Sequence, residues 1–144
     1  MRLKYLERPN ENWTVRLPKS KKYPRHWVTT VDIDVTLSDG YVLKTPKGHI
    51  WNGASIPSWL WWLMKPIDEA AIGDFIHDRL WEEKQAQFEH FNYEIFKARK
   101  FADEERLKWR KALAPKKSIK NIVTHKVIRW IGGFFYSKQM KIPN

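Results

Sequence analysis

The chain has 144 residues, no cysteine and a formal net charge of +11. Its length suits one domain, and the lack of cysteine excludes disulfides, thiolate nucleophiles and cysteine-ligated zinc. It has no run of about 18 apolar residues, and Met1–Tyr5 lack the apolar stretch of a signal peptide, so we expect neither a membrane-spanning helix nor export. The prediction is a single domain over residues 1–144 that acts in the cytoplasm of the cell that makes it.

The charge is distributed unevenly along the chain. Residues 1–57 carry ten Lys/Arg and five Asp/Glu, residues 58–105 carry six and eleven, and residues 106–144 carry eleven Lys/Arg and no acid. This asymmetry predicts a negatively charged partner, which is a nucleic acid, an anionic lipid surface or an acidic protein face. The alternative is a solvated basic surface that pairs with the acidic middle of the same chain. The residues predicted to bind an anionic partner are Lys116, Lys117, Lys120, Lys126 and Arg129.

Alternating apolar and polar residues predict strands in the first third of the chain. The predicted strands are Trp13–Leu17, Trp27–Leu37, Tyr41–Thr45 and one that starts at His49. The pair Asp39-Gly40 tolerates positive φ and predicts a hairpin turn between the second and third strands. The residues of the longest strand expected to face the core are Val31, Ile33, Val35 and Leu37. Residues 1–57 are thus predicted to be an antiparallel meander of three to four strands that ends in a loop over Asn52–Pro57.

Helical periodicity follows in residues 58–144. The short apolar run Ser58–Met64 predicts either a buried helical turn or an interfacial patch. Longer helices are predicted over Glu69–Glu83, Tyr93–Leu113 and Ile119–Phe135, with an ambiguous polar stretch at Gln85–Asn92. The last helix has one apolar stripe, with Lys120, His125 and Arg129 facing away, and the stripe consists of Ile119, Ile122, Val123, Val127, Trp130, Ile131 and Phe134. The predicted class is α+β, with three to four packed helices after the strands.

Four spaced motifs resemble a phage and prophage family known as domain of unknown function 1353. They are Asn52-Gly53-Ala54-Ser55-Ile56-Pro57 with the Trp59 and Trp62 turn that follows it, the helix from Ala70 through His77-Asp78 to Trp81, Arg99 with Asp103, and the apolar segment Val123–Gly132. The family pattern has Asp where this chain has Asn52, and Tyr where it has Trp81. A charge and a phenolic hydroxyl are therefore replaced here. The resemblance implies a phage context and supplies no activity.

Two hydrolase hypotheses centre on His77 and Asp78. In the first, His77 is a general base oriented by Asp103, and Asp78 holds a divalent cation with carbonyls of the Asn52–Ser55 loop. This arrangement is similar to the His-Asp-x-x-Tyr helix of secreted phospholipases A2. In the second, His77 and Asp78 are both metal ligands together with His49 and Asp103, as in HD-type phosphohydrolases.

The alternative to catalysis is a structural role for the same residues. Arg99, Asp103, His77 and Asp78 would then form a buried polar network that joins two helices and the loop around Ser55. Trp81 shares the helical face of His77, because the two are four residues apart.

Three functional hypotheses follow. The first is a phage-encoded virion-associated, assembly or lysis protein, found in the host cytoplasm or the virion, that docks other phage proteins or an acidic surface through a basic, Trp-rich surface. The second is a small hydrolase of a phosphoester, lipid ester or cell-wall bond that acts through His77 and Asp78. The third is non-specific nucleic-acid binding by the C-terminal lysines.

Overall fold

The computed structural model describes residues 1–10, 12–23, 26–51 and 68–131, without the side chains of Gln85 and Ile131. The chain divides into two compact units, Met1–Gly53 and Ala54–Asn144, which we call the strand unit and the helical unit. All described strands lie in the first unit and all described helices in the second. The predicted α+β class, with strands before helices, is therefore confirmed.

The strand unit contains six short strands in two sheets of three. They are β1 (Arg2–Leu3), β2 (Thr14–Arg16), β3 (Trp27–Thr29), β4 (Ile33–Thr36), β5 (Val42–Thr45) and β6 (Ile50–Trp51). One sheet has the order β1-β4-β5 and the other β2-β3-β6. The pair β1–β4 is parallel, and the other three described pairs are antiparallel. The prediction of one antiparallel meander with three to four strands was therefore too simple.

The predicted strand over Trp27–Leu37 is two strands in different sheets. Between β3 and β4, Thr30 donates from its backbone N–H to the Trp13 carbonyl (2.9 Å) and from Oγ1 to the Asn12 carbonyl (2.6 Å). The Asp32 carboxylate accepts the Lys47 N–H at 2.7 Å. These polar contacts turn the chain out of the sheet β2-β3-β6, and Val31 is 38% exposed. The prediction that Val31 faces the core was wrong.

The hairpin between β4 and β5 forms as predicted. Leu37 N–H donates to the Tyr41 carbonyl at 2.9 Å, and Gly40 has φ of 88°. The Asp39 carboxylate accepts the Tyr41 N–H at 3.0 Å. The turn keeps the register of β4 and β5, and the predicted core residues Ile33, Val35 and Leu37 are buried.

Three tryptophans form an aromatic cluster in the strand unit. The Trp51 ring lies 5.7 Å from Trp13 and 6.0 Å from Trp27, measured between ring centroids. All three side chains are buried, and Trp51 Nε1 donates to Thr14 Oγ1 at 3.0 Å. These tryptophans belong to the core, so they do not contribute to a partner surface.

The helical unit contains four described helices and one short 3-10 turn. They are α1 (Ala71–Glu82), α2 (Lys84–His90), α3 (Ile95–Leu113), the turn Pro115–Lys117 and α4 (Ser118–Ile131). The three predicted long helices correspond to α1, α3 and α4, and the ambiguous stretch contains α2. The predicted loop over residues 52–57, the apolar run over 58–64 and the helix after residue 131 lie outside the described residues.

Helices α1 and α3 pack closely in antiparallel directions. Residue numbers rise along α1 while those of their partners in α3 fall: Asp74 contacts Arg106, and His77 contacts Asp103. The helices approach closely at Gly73, where an added Cβ would lie 3.1 Å from Trp109 Cβ and 3.2 Å from the Arg106 carbonyl oxygen. A larger residue at position 73 would therefore require α3 to shift, so glycine favours the close spacing of the two helices.

Helix α4 is rotated relative to its predicted orientation. The predicted core stripe is exposed at Ile119 (79%), Ile122 (40%), Val123 (39%) and Trp130 (78%). The buried face carries Asn121, Thr124 and Ile128 instead. The predicted core stripe was wrong, because α4 packs against buried guanidinium groups of α3 that need hydrogen-bond acceptors.

Candidate functional site

The interior of the helical unit is lined with charged side chains from α1 and α3. Asp74 and His77 face it from α1, and Asp103, Arg106 and Arg110 face it from α3. The spacing of three and four along each helix places these groups on single faces. All five are 5% exposed or less. The arrangement is a ladder of buried charges between two antiparallel helices.

His77 and Asp103 form the hydrogen bond that the sequence predicted. His77 Nε2 lies 2.7 Å from Asp103 Oδ1, and both side chains have 0% exposure. His77 Nδ1 is buried and has no hydrogen-bond partner among the described residues. An orienting carboxylate and an imidazole are therefore in place, but a substrate would have to open the structure to reach the ring.

Asp103 is also held by arginines. Arg129 of α4 donates to Asp103 Oδ2 at 3.0 Å, and Arg99 Nη1 lies 4.0 Å from the same oxygen. Burial alone would raise the pKa of Asp103, but the hydrogen bonds and charges of His77 and Arg129 outweigh burial and lower it. Asp103 is thus a stable carboxylate that ties α1, α3 and α4 together.

Asp78 does not join this group. Burial raises the pKa of Asp78 well above 3.8, and the hydrogen bond and charge of Glu82, one turn later in α1, raise it further. The effect of Arg79 opposes the shift. Since residues 77 and 78 point about 100° apart around a helix, the predicted catalytic set divides into His77 with Asp103 and Asp78 with Glu82.

The metal-site predictions find no support in the described residues. Within residues 1–10, 12–23, 26–51 and 68–131, no group of three or more His, Asp or Glu side chains is arranged to hold a metal ion. Asp78 and Glu82 form only a pair of carboxyl groups, and such a site needs at least three ligands. The predicted loop ligands, and with them Asn52 and Ser55, lie outside the described residues.

Trp81 closes one side of the His77 ring. The two ring centroids are 5.1 Å apart, and Trp81 is 8% exposed. An indole at this position packs as core and shields the imidazole from water. Trp81, where the resemblance implied a tyrosine, therefore lies beside the imidazole.

A second set of ion pairs was missed by the sequence analysis. Asp74 accepts hydrogen bonds from Arg106 Nε and Arg110 Nη1, both at 2.7 Å. Arg110 Nη2 also reaches Asp68 Oδ2 at 2.7 Å, and Lys117 Nζ lies 3.1 Å from the same oxygen. The sequence did contain a signal for these pairs: the charged residues of α3 recur every three or four positions and so share one helical face. They are Arg99, Asp103, Arg106 and Arg110. This signal was overlooked because charged stripes are normally solvated.

The pKa values follow the number of counter-charges. Burial alone would raise the pKa of Asp68, but Arg110 and then Lys117 outweigh it and lower the value from 3.8 to about 2. Burial lowers the pKa of Arg106, which has Asp74 as a counter-charge and Arg110 as a like charge nearby. For Arg110, Asp74 and Asp68 together outweigh burial and raise the pKa. All three groups stay charged near neutral pH.

Helix α4 completes the pairing with uncharged side chains. Asn121 Oδ1 accepts from Arg110 Nε at 2.9 Å, and Thr124 Oγ1 accepts from Arg106 Nη1 at 3.2 Å. Both residues are buried. The polar face of α4 therefore satisfies guanidinium donors that α1 alone does not reach, and its apolar face points away from them.

The five residues predicted to bind an anionic partner fall into two groups. Lys117 pairs with Asp68 and Glu69, and Arg129 pairs with Asp103, so both serve ion pairs within the helical unit. Lys116 and Lys126 are exposed and form no ion pair with described residues, and Lys120 is half-buried. The cations free for a partner therefore lie on and beside the outer face of α4.

A sequence model of the family described as "Protein of unknown function (DUF1353)" matches residues 27–114. The matched segment begins with β3 and ends just after α3, so it contains the buried charge ladder and stops before α4. No curated protein and no solved structure matches the chain. Across the part of the chain that the structure describes, no helix has both the length and the apolar composition needed to cross a membrane.

Proposed function

We propose that this chain, which belongs to the DUF1353 family of proteins of unknown function, is a docking protein that binds an anionic partner through the outer face of α4. The phage context implied by the sequence motifs makes virion association, assembly or lysis the setting of that contact. The proposal rests on the orientation of α4, which turns its polar side chains inward and leaves its apolar side chains and free lysines exposed.

The interior of the helical unit supports a structural role for the polar residues. His77 and Asp103 have no exposed surface, and every described carboxylate of the ladder faces a cation. Such a network fixes the relative positions of helices without reacting with a substrate. The functional contact is therefore assigned to the outside of α4 rather than to the inside of the unit.

The test compares two triple variants of equal net charge. One, called the α4 variant, is Lys116→Gln/Lys120→Gln/Lys126→Gln on α4 and the turn before it. The other, called the loop variant, is Lys19→Gln/Lys21→Gln/Lys22→Gln in the basic loop of the strand unit. Binding is measured to three anionic probes: double-stranded DNA, polyglutamate and anionic lipid vesicles. We expect at least one probe to bind, with a loss of at least tenfold for the α4 variant and less than threefold for the loop variant.

Either of two results would overturn the proposal. The first is that the wild-type protein binds none of the three probes. The second is that both triple variants lose binding equally, because binding would then depend on net charge and not on α4. The proposed role in virion association, assembly or lysis has a separate test. A docking protein of phage origin should sediment with purified particles or with the envelope of infected cells.

The hydrogen bond between His77 and Asp103 favours a hydrolase as the second candidate. Its test is His77→Ala combined with Asp78→Asn, assayed for hydrolysis of phosphoester, lipid-ester and cell-wall substrates. Lost hydrolysis with an unchanged melting temperature supports the enzyme. A lowered melting temperature with no hydrolysis by the wild-type protein supports the structural network.

A further inference from the structure

The outer face of α4 carries four exposed apolar side chains, which we call the apolar stripe. Ile119 and Trp130 stand at its two ends and are 79% and 78% exposed, with Ile122 and Val123 between them. Eleven residues separate the ends, so the stripe is about 16 Å long at 1.5 Å per residue. Contiguous exposed apolar side chains of this size mark an interaction surface.

An aromatic side chain of α3 extends the stripe. Phe96 is 63% exposed, and its ring lies 5.4 Å from the guanidinium carbon of Arg129. Arg129 is fixed in turn by Asp103, which it reaches at 3.0 Å. Phe96 is thus held beside Arg129, near the C-terminal end of the described part of α4.

Cations border and interrupt this apolar stripe. The 17 residues from Pro115 to Ile131 contain five Lys/Arg and no Asp or Glu. Lys126 lies within the stripe, since it is three and four residues from Val123 and Trp130, and Lys116 lies one turn before Lys120. An apolar stripe with lysines and a terminal Trp is the composition of helices that lie in a membrane interface.

We propose that the outer face of α4 inserts into the interfacial layer of a membrane containing anionic lipid, with the helix axis parallel to the membrane plane. This inference rests on the proposed docking function and names its partner. No described helix is long and apolar enough to cross the hydrocarbon core, whereas Ile119, Trp130 and Phe96 can enter its outer layer while the lysine stems reach to the head groups.

The charge pattern favours lipid over the other anionic partners. Nucleic-acid contacts are polar, and most of them are made to phosphates, so they would leave Ile119, Ile122 and Val123 without a role. A protein groove that accepts a helix is apolar, so it would leave the lysines of α4 without a partner. A lipid surface contacts both the exposed apolar side chains and the lysines beside them.

The experiment measures partition of the full chain onto vesicles of phosphatidylcholine with and without phosphatidylglycerol. Two double variants are compared: Ile119→Ser/Trp130→Ser on α4 and Val15→Ser/Val31→Ser in the strand unit. The control residues are exposed apolar side chains outside α4, at 42% and 38%. Their melting temperatures are measured first, because exposed substitutions should leave them nearly unchanged.

We expect the wild-type protein to bind the anionic vesicles at least tenfold more tightly than the neutral ones. Ile119→Ser/Trp130→Ser should lose on the order of tenfold in partition, and the control less than twofold. Brominated lipid should quench part of the tryptophan fluorescence, and Trp130→Phe should remove that part. Equal partition of the two double variants, or quenching that survives Trp130→Phe, would overturn the inference.

The other occupants of this surface have separate signatures. A second copy of the chain would appear as a dimer in sedimentation that Ile119→Ser/Trp130→Ser converts to monomer, without vesicle binding. A nucleic acid or acidic protein would appear as DNA or polyglutamate binding that the α4 lysine variant weakens while vesicles stay unbound. Such binding of DNA or polyglutamate rejects the membrane and keeps the docking function. A dimer that binds no probe, or no effect of the α4 lysines on any probe, rejects both.

Discussion

The two units of this protein are stabilised by different interiors. The strand unit buries tryptophans and branched aliphatic residues, such as Trp51, Ile33 and Val35. The helical unit also buries aliphatic and aromatic residues, such as Phe75 and Ile76, but adds full charges, of which Asp74 and Arg106 are 5% and 0% exposed. An apolar interior tolerates small changes gradually, because each lost methylene costs a similar amount. A charged interior depends on complete pairing, because one unpaired buried ion costs more than several methylenes.

The largest expected effect is that of Asp74→Asn. The substitution keeps the side-chain shape but removes the one charge that faces both Arg106 and Arg110. We expect a loss of about 3–5 kcal/mol in the free energy of unfolding. Amide hydrogen exchange should locate the loss in α1 and α3, with protection of β4 and β5 unchanged. A loss below about 1 kcal/mol would mean that the ladder is solvated, and the contrast between the units would fail.

Acid should destabilise the helical unit through Asp68. The pKa of this carboxyl is about 2 in the folded protein against an ordinary value of 3.8. Its contribution is therefore fully present above pH 3.8 and is lost as the pH falls towards 2, which amounts to about 2 kcal/mol. Asp68→Asn should remove this part of the pH dependence in denaturation curves. An unchanged acid slope in the variant would contradict the assignment.

A smaller effect is expected from Ile33→Val in the strand unit. The side chain is fully buried in β4, and one lost methylene costs about 1 kcal/mol. Because no charge is involved, the loss should be the same at pH 3 and pH 7. Exchange protection of β4 and β5, measured at both values, checks this independence of pH, and a loss that varied with pH would contradict it.

The pH dependence predicted for Asp78→Asn has the opposite sign to that of Asp68→Asn. Burial and Glu82 raise the pKa of Asp78 in the folded protein, so its contribution is present below pH 3.8 and is lost as the pH rises through the folded value. Asparagine never ionises, so the variant should be more stable than wild type at pH 8 and equal to it below pH 4. A variant less stable at pH 8 would show that the Asp78 carboxylate has a counter-charge.

Sequence reasoning succeeded where burial follows hydrophobicity. Ile33, Val35 and Leu37 alternate with polar residues and are buried as expected, and Asp39-Gly40 makes the predicted turn. The split between β3 and β4 was missed because it depends on hydrogen bonds from Thr30 to residues far away in the chain. Local alternation carries no information about such partners.

The same reasoning failed for α4 because its neighbour is not apolar. A hydrophobic stripe predicts the buried face only when the opposing surface is hydrophobic. Arg106 and Arg110 instead present guanidinium donors, which Asn121 and Thr124 satisfy. The His77–Asp103 pair was predictable from the motif, but its third member Arg129 was assigned to the outside of α4.

The family match and the proposed docking surface divide the chain at residue 114. The match covers the strands from β3 onward, α1 and α3, and therefore the residues Asp68, Asp74, Asp103, Arg106 and Arg110. The exposed apolar face begins after the match ends, so the apolar segment Val123–Gly132, which the sequence was expected to share with the family, lies outside the match. The buried ladder is thus a property of the segment that defines the family, whereas the partner proposed above is specified by residues beyond it.

Gly73 and the charges around it fix how α1 and α3 slide along each other. In the observed register Asp74 faces Arg106 and His77 faces Asp103. A slip of one turn in one direction would set Asp74 opposite Ala102 and Arg106 opposite Ala70. A slip in the other direction would keep an arginine, Arg110, opposite Asp74 but would set Asp103 opposite Trp81. Both slips would bury unpaired ions, although an all-leucine interface would accept them with little change. The paired charges therefore specify the register of α1 and α3, because slipped alignments would separate buried ions from their partners.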